Sequence, residues 1–205
     1  MMDSIIFDLD GTLWDSSDQV LKIWNQVVKK YPGINEITIE QLAGCMGLQS
    51  QEIGQKLYPE LSVQQQQKIL TECEEVECLY LAENGGVLYP ELEKVLKQLA
   101  NKYKLFIVSN CQSGYIEAFF QFHHLEKYFV DFENPGRTGL SKGENIKLII
   151  ERNNLQNPVY VGDTMGDLKG ARFAGIPFVY AKYGFGEVEE FDYVIDKISV
   201  LLELF

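Results

Sequence analysis

Five short apolar runs punctuate the chain: SIIF (4–7), KLFIVSN (104–110), YFVDF (128–132), PVYVGD (158–163) and IPFVYA (176–181). They are rich in Ile, Val, Phe and Tyr, and most lack strict alternation. A strand with one wet face alternates apolar and polar residues, whereas a strand covered on both faces does not. The intervening segments carry helical periodicity. Pro90, a residue suited to a first helical turn, opens ELEKVLKQLANKY with Leu92, Val95, Leu96 and Leu99 on one face. Ile146, Ile149 and Ile150 repeat through KGENIKLIIERNN, and 113–122 and 167–174 read as two shorter helices. Strand and helix in alternation predict an α/β fold with a doubly wound, Rossmann-like parallel sheet. Such sheets bind ligands beyond the carboxyl ends of their strands.

One stretch breaks this alternation. Residues 14–84 contain no strand pattern. Val20, Ile23, Trp24, Val27, Val28 and Tyr31 form a helical stripe. Two shorter helical patterns cover 38–45 and 50–57. Ser62 is placed to cap a long helix with Ile69, Cys73, Val76 and Tyr80 on one face. The expected organisation is therefore an α/β core domain of 1–13 and 85–205, interrupted by a helical domain of 14–84. Segments 14–17 and 83–89, the latter with Gly85 and Gly86, are the expected hinges. The glutamines 64–67 read as a solvated helix face.

Composition narrows the function classes. The chain has 205 residues, with 30 acids against 18 bases and a net charge of -12. That balance argues against nucleic acid or an anionic membrane surface as the main partner. No apolar run is long enough to span a bilayer, and the acidic N-terminus is no secretory leader. Cys45, Cys73, Cys78 and Cys111 are too few and too irregular for a disulfide scaffold, so reduced thiols and a cytoplasmic location are expected. His123 and His124 read as a helix-end pair near the surface, and Trp14 and Trp24 as packing residues.

Polar residues gather where the strand patterns end. The first run passes into Asp8-Leu9-Asp10-Gly11-Thr12 and the second ends in Ser109-Asn110. Lys142 opens a helix before the fourth run, which ends in Gly162-Asp163-Thr164, with Asp167 four residues later. Each piece alone has a plainer reading: Asp-Gly as a turn, Ser-Asn or Gly-Asp-Thr as a helix start, Lys142 as solvated surface. Together they fall on one rim of a parallel sheet, where crowded carboxylates repel one another unless cations relieve them.

FDLDGTL (7–13), VSN (108–110), Lys142 and VGDTMGD (161–167) resemble, in order and spacing, the motifs of the haloacid dehalogenase-like hydrolases of phosphatase type. The phosphoglycolate phosphatase-like and β-phosphoglucomutase-like groups are the nearest by pattern, and 14–84 resembles their inserted α-helical cap. The resemblance implies an enzyme that hydrolyses a small phosphorylated metabolite. Asp8 would be the nucleophile, and Asp10 the general acid and then base. Mg²⁺ would be held by Asp8, the Asp10 carbonyl and Asp163, with Asp167 outside the first ligand shell. Gly11, Thr12, Ser109, Asn110 and Lys142 would face the phosphate. Gly143 departs from the proline that relatives often carry after the lysine, and Lys147 is the fallback cation. A monomer is expected, with a dimer as the alternative.

Three rival functions come with the family. A β-phosphoglucomutase-like phosphotransferase would want an arginine in the inserted helices, but Arg137, Arg152 and Arg172 all lie in the core segments. A phosphonate-cleaving enzyme would need a Schiff-base lysine there, with Lys22, Lys29, Lys30, Lys56 and Lys68 as candidates. A non-catalytic binding protein of the same fold is the third, and loss of a motif aspartate would mark it. The neutral loop GCMGLQSQ (44–51) and the lack of a cationic clamp argue against phosphoglycolate itself.

Overall fold

The computed structural model describes residues 2–205. In chain order it contains β1 (Ser4–Phe7), β2 (Trp14–Asp15), α1 (Ser17–Val28), α2 (Ile39–Ala43), α3 (Ser50–Leu57), α4 (Val63–Asn84) and β3 (Val87–Leu88). Then follow α5 (Leu92–Leu99), β4 (Lys104–Val108), α6 (Tyr115–His123), β5 (Asp131–Glu133), α7 (Pro135–Thr138), α8 (Lys142–Arg152) and β6 (Pro158–Gly162). The chain closes with α9 (Met165–Ala174), β7 (Phe178–Ala181), β8 (Tyr193–Ile195) and α10 (Leu201–Leu204). Six strands form one parallel sheet in the order β5-β4-β1-β6-β7-β8. The α/β class inferred from the apolar runs is the observed one.

The unbroken apolar runs have the expected cause. Ile5 and Phe7 of β1 join Leu105, Ile107, Val159 and Val161 in one buried cluster. Ile6 joins Phe106, Val108, Tyr160 and Phe178 in a second. Successive side chains of a strand point to opposite faces, so two dry faces demand two interleaved apolar sets. Phe7 pairs with Ile107 on one side and Val161 on the other. This register brings Asp8, Ser109 and Asp163 to the same edge.

Several expectations need correction. The sheet has a sixth strand, β8, which is three residues long and mostly exposed, and so lacks an apolar run. The run at 128–132 becomes a single 3-10 turn and then β5, three residues later than expected. Phe129 leaves the strand because its ring packs against Phe7 and Phe120, with centroids 6.4 and 5.5 Å away. Pro90 lies outside α5, whose N-cap Glu91 is left-handed at φ 65°. Gln66 is buried, unlike its glutamine neighbours, and donates Nε2 to the carbonyls of Tyr58 and Leu61, closing the α3–α4 turn. The stripe on α4 is wider than expected: Gln66, Leu70, Glu77 and Leu81 are buried with Ile69 and Cys73, while Val76 and Tyr80 are half-buried.

Where the helical stretch leaves and rejoins the sheet, β2 and β3 pair antiparallel and hold the two connections side by side. Two residues per strand are too few for alternation to show in sequence. A Cβ on Gly85 would meet the Phe122 ring at 2.1 Å, and its φ is +66°, so a side chain is excluded on both counts. His123 is half-buried beside this ribbon, its ring 5.6 Å from that of Trp14 and its Nε2 without a partner. It is not a surface residue like His124. Among the described residues, no helix is long and apolar enough to cross a membrane, and the four cysteines are free.

Two measurements follow from these contacts. Arg152 at the end of α8 grips Asp131 with Nε and Nη2 at 2.9 Å and Glu133 with Nη1 at 2.8 Å, so α8 is tied to β5. Arg152→Ala should leave the buried Glu133 carboxylate with only the more distant Arg137 and destabilise the protein by about 1.5 kcal/mol in urea denaturation. A loss under about 0.5 kcal/mol, the size of an ordinary surface change, would contradict this. Burial holds the His123 pKa below its ordinary 6.5. The unfolded chain therefore takes up a proton at this residue before the folded one does, which costs stability as pH falls below about 6.5. Melting temperatures should show His123→Phe gaining on wild type between pH 7.5 and 5.5; a constant difference would refute it.

Candidate active site

The carboxyl edge of the sheet gathers Asp8, Asp163 and Asp167, each with one carboxylate oxygen within 4.8 Å of those of the other two. Asp8 and Asp163 leave the ends of adjacent strands β1 and β6. Asp167 arrives by a different route. It sits in the first turn of α9 in a capping box, with Thr164 as N-cap. Its Oδ2 accepts from the amides of Asp163 and Thr164 and from the Thr164 hydroxyl, at 3.1, 2.8 and 2.7 Å. Its Oδ1 accepts from Tyr160 at 3.2 Å and from Lys142 at 2.5 Å. Both oxygens are engaged by the protein, which suits a positioning carboxylate better than a direct metal ligand.

Lys142 is the cation of the cluster. It is 4% exposed, and its Nζ lies 3.0 Å from Asp8 Oδ2. Ser141 caps α8 and makes Lys142 its first residue. A cation at a helix N-terminus opposes the helix dipole, so Asp8 and Asp167 must offset that cost as well as the cost of burial. Burial alone would lower the Lys142 pKa, but the two carboxylates raise it above its ordinary value. Lys147 does not compete: it is exposed and sits over the Phe173 ring at 4.3 Å. Gly143 is the residue that lets this helix approach α9, since a Cβ there would strike Phe173 at 2.7 Å.

The acids differ in their surroundings. Burial, the Asp167 charge and the Asp163 charge push Asp8 well above the usual carboxylate range, against Lys142. Burial and Asp167 bring Asp163 up to about 7. Burial would raise Asp167 too, but Lys142 and Thr164 hold it below the usual value. Asp10 stands apart from the cluster. Its Oδ1 accepts from Trp14 Nε1 at 2.9 Å, Ser16 Oγ at 3.0 Å and Tyr115 OH at 2.8 Å. Burial still brings it to about 6.

The remaining expected residues divide. The Gly11 amide donates to Trp14 and the Thr12 amide to Leu9, while the Thr12 hydroxyl donates to Asp163 Oδ1 at 3.2 Å. These groups are therefore not free for a phosphate; they shape the turn and orient Asp163. The amides of Leu9 and Asp10 have no acceptor among the described residues and face no such commitment. Ser109 is buried at the end of β4. Asn110 donates Nδ2 to the Gly47 carbonyl at 2.9 Å, reaching the helical insertion, and its buried Oδ1 lacks a partner.

Residues not anticipated from sequence complete the site. Phe185 donates its amide to Asp163 Oδ2 at 2.8 Å, and Tyr183 donates its hydroxyl to the Thr12 carbonyl at 2.8 Å. Both belong to the glycine-rich AKYGFGE loop (181–187), which the sequence places on the rim after the fifth run, either bordering the site mouth or as a plain loop, without saying which of its groups face inward. A Cβ on Gly184 would fall 2.3 Å from Asp163 Cβ. Around Asp10, Trp14 and Ser16 come from the stretch just after it and Tyr115 from α6, and no sequence pattern joins the three.

The donor set fits a hard divalent cation. Asp8 Oδ1 is buried without a partner, and no amide among the described residues donates to the Asp10 carbonyl. Oxygen ligands with no His or Cys favour Mg²⁺. Gly11 tests how tightly the pocket is built. Its φ is +75°, and a Cβ would lie 2.2 Å from Asp163 Oδ2. Gly11→Ala should displace Asp163 and lower kcat/KM by about 100-fold while circular dichroism stays native. Activity within about threefold of wild type would refute this placement.

The chain is similar to known proteins. Residues 5–181 match the family described as haloacid dehalogenase-like hydrolase. The phosphoglycolate phosphatase of Vibrio vulnificus (strain CMCP6) is 28% identical over 219 residues, covering 98% of this chain and 94% of its own. That of Synechococcus elongatus is 29% identical over 212 residues, covering 98% and 96%. A haloacid dehalogenase-like family hydrolase from Streptococcus pneumoniae superposes with a TM-score of 0.86 at 22% identity, covering 99% of this chain and 98% of its own, a likeness of fold. With its motif aspartates gathered at one sheet edge and its match running from the first strand to the end of β7, this chain belongs to the haloacid dehalogenase-like hydrolases.

Proposed function

We propose that the protein is a Mg²⁺-dependent phosphatase that hydrolyses a small phosphate monoester through a phosphorylated Asp8. The observation that carries this reading is the contrast between two carboxyl groups two residues apart. Asp8 lies in the charged cluster beside Lys142, with Oδ1 unpartnered. Asp10 lies in a hydrogen-bonded pocket of its own and titrates near 6. One can serve as nucleophile while the other exchanges a proton. The relatives named phosphoglycolate phosphatase support the phosphomonoester class.

In the first step Asp8 attacks phosphorus, a bond forms between its carboxylate oxygen and phosphorus, and the bond from phosphorus to the ester oxygen breaks. Asp10 gives its proton to that leaving oxygen. In the second step Asp10 takes a proton from water, whose oxygen attacks phosphorus and releases Asp8 and inorganic phosphate. Lys142 and the free Leu9 and Asp10 amides offset negative charge on the transferring group. Asp8, Asp163 and the Asp10 carbonyl would hold Mg²⁺, which would supply further charge neutralisation there. Tyr115, Ser16 and Trp14 position Asp10 for both proton transfers. The arginines stand elsewhere, Arg137 and Arg152 beside Glu133 and Arg172 beside Asp192, so none is available to grip a second phosphate.

Turnover of p-nitrophenyl phosphate should require Mg²⁺ and vanish with EDTA. Asp8→Asn should lower kcat by more than about 10³-fold, and Asp10→Asn should lower it by about 10²-fold or more on an alkyl phosphate. A metal-independent rate, or an Asp8→Asn variant keeping a tenth of wild-type activity, would refute the mechanism. Phosphopeptide mapping after acid quench should find the label on Asp8.

A further inference from the structure

Between the helical insertion and the sheet lie two neighbouring cavities of about 80 and about 230 Å³. Asp10 and Glu77 line the first, and Glu74 lines the second. Trp24, Ile53, Asn110, Cys111 and Gln112 line both, so the two form one cleft leading away from Asp10. No lysine, arginine or histidine lines either cavity. The charged side chains of the cleft are therefore all acidic.

Glu77 is the anomaly. It is 4% exposed and makes no ion pair among the described residues. Its Oε2 accepts from Trp24 Nε1 at 2.5 Å. Burial raises its pKa to about 8, the Trp24 bond opposing, so near neutral pH the unpaired group is largely protonated and a cation in the cleft would return it to the charged form. Buried carboxyl groups are ordinarily paired with a cation, because an isolated charge loses its hydration without return. No lysine or arginine supplies that partner here, although elsewhere in the protein Lys142 and Arg152 pair buried acids. Glu74 stands one helical turn before Glu77 on α4, and burial raises its pKa as well. Two carboxyl groups beside an indole are the chemistry that receives an ammonium group.

We propose that Glu77, with Glu74 and Trp24 beside it, selects phosphate monoesters of amino alcohols, the ammonium of the leaving group occupying the cleft next to Asp10. This rests on the phosphatase reading above and names the substrate class of that site. In hydrolysis the ester bond from phosphorus to oxygen breaks, water supplies the oxygen of phosphate, and the free amino alcohol departs with its ammonium intact. The first cavity has room for about three waters, which corresponds to a leaving group of two or three carbons. The larger cavity behind it takes longer ones. A carboxylate at the same place would face Glu77 and Asp10 with no cation to receive it.

Three esters of nearly equal size separate the terminal groups: 2-aminoethyl phosphate, 2-hydroxyethyl phosphate and 2-phosphoglycolate. With wild-type protein and Mg²⁺, kcat/KM for the ammonium ester should exceed that for the hydroxyl ester by about tenfold or more, with the carboxylate ester slowest. In E77Q the ratio of ammonium to hydroxyl ester should fall to within about threefold of unity. Equal rates on the first two esters, a lead for phosphoglycolate, or an unchanged ratio in E77Q would overturn the proposal. The wild-type series decides it even if E77Q does not fold. If neither these esters nor p-nitrophenyl phosphate is hydrolysed, the phosphatase reading fails, and calorimetry on Asp8→Asn protein decides the inference. Tighter binding of the ammonium ester than of the hydroxyl ester would then support it, and equal or weaker binding would overturn it.

Discussion

Three carboxylates buried within 4.8 Å of one another, facing a single lysine, are the constraint on which the rest of this structure depends. Like charges at that separation repel strongly in a dry environment, and each has lost its water. The fold surrounds them with donors. Asp167 alone takes five hydrogen bonds, from Tyr160, Lys142, the Thr164 hydroxyl and two amides. Asp163 takes the Thr12 hydroxyl and the Phe185 amide. Asp8 retains one oxygen that no protein group reaches. The deficit is local, and it is the kind that a divalent cation and a phosphoryl group jointly remove.

The sheet order makes this concentration of charge tolerable. β1 lies between β4 and β6, so Asp8 emerges with a paired strand on either side. α8 spans the distance from Asp8 to β5, with Lys142 at one end and Arg152 at the other. The glycines at 11, 162 and 184 leave room that a single methyl group would remove: a Cβ at any of them would come within 2.2 to 2.5 Å of the Asp163 or Asp167 side chain. Packing, backbone conformation and electrostatics therefore converge on the same few atoms. Stability given up at such a point must come from the two apolar faces of the sheet.

Much of this was legible in the sequence, for identifiable reasons. Unbroken apolar runs announce strands with two dry faces, and parallel strands put their ends on one rim. The motif residues Asp8, Asp163, Asp167 and Lys142 could therefore be placed together from their positions alone. Thr164 and Asp167 even carry the capping-box spacing. What could not be read arises from side-chain contacts that no spacing announces. Tyr115 reaches Asp10 from a distant segment, and Trp14 and Ser16, though four and six residues from it, turn their donors onto it only in the folded turn. The roles of Gly11 and Thr12 shifted because a hydroxyl or amide near a phosphate site looks free in sequence, whereas the turn uses it. β8 escaped because an exposed edge strand of three residues has no period to detect. Glu77 carries no signal in the sequence, because only its burial distinguishes it from the other acids of α4.

The central claim is that a divalent cation completes the carboxylate cluster. Calorimetric titration of Mg²⁺ into metal-stripped wild-type protein and into Asp163→Asn tests it most directly, paired with melting temperatures of both. Wild type should bind one Mg²⁺ per chain and melt higher with it, because a ligand of the folded state alone stabilises that state. Asp163→Asn should lose the binding and the shift. Wild-type protein that binds no Mg²⁺, or an Asp163→Asn variant that binds it equally well, would contradict the account.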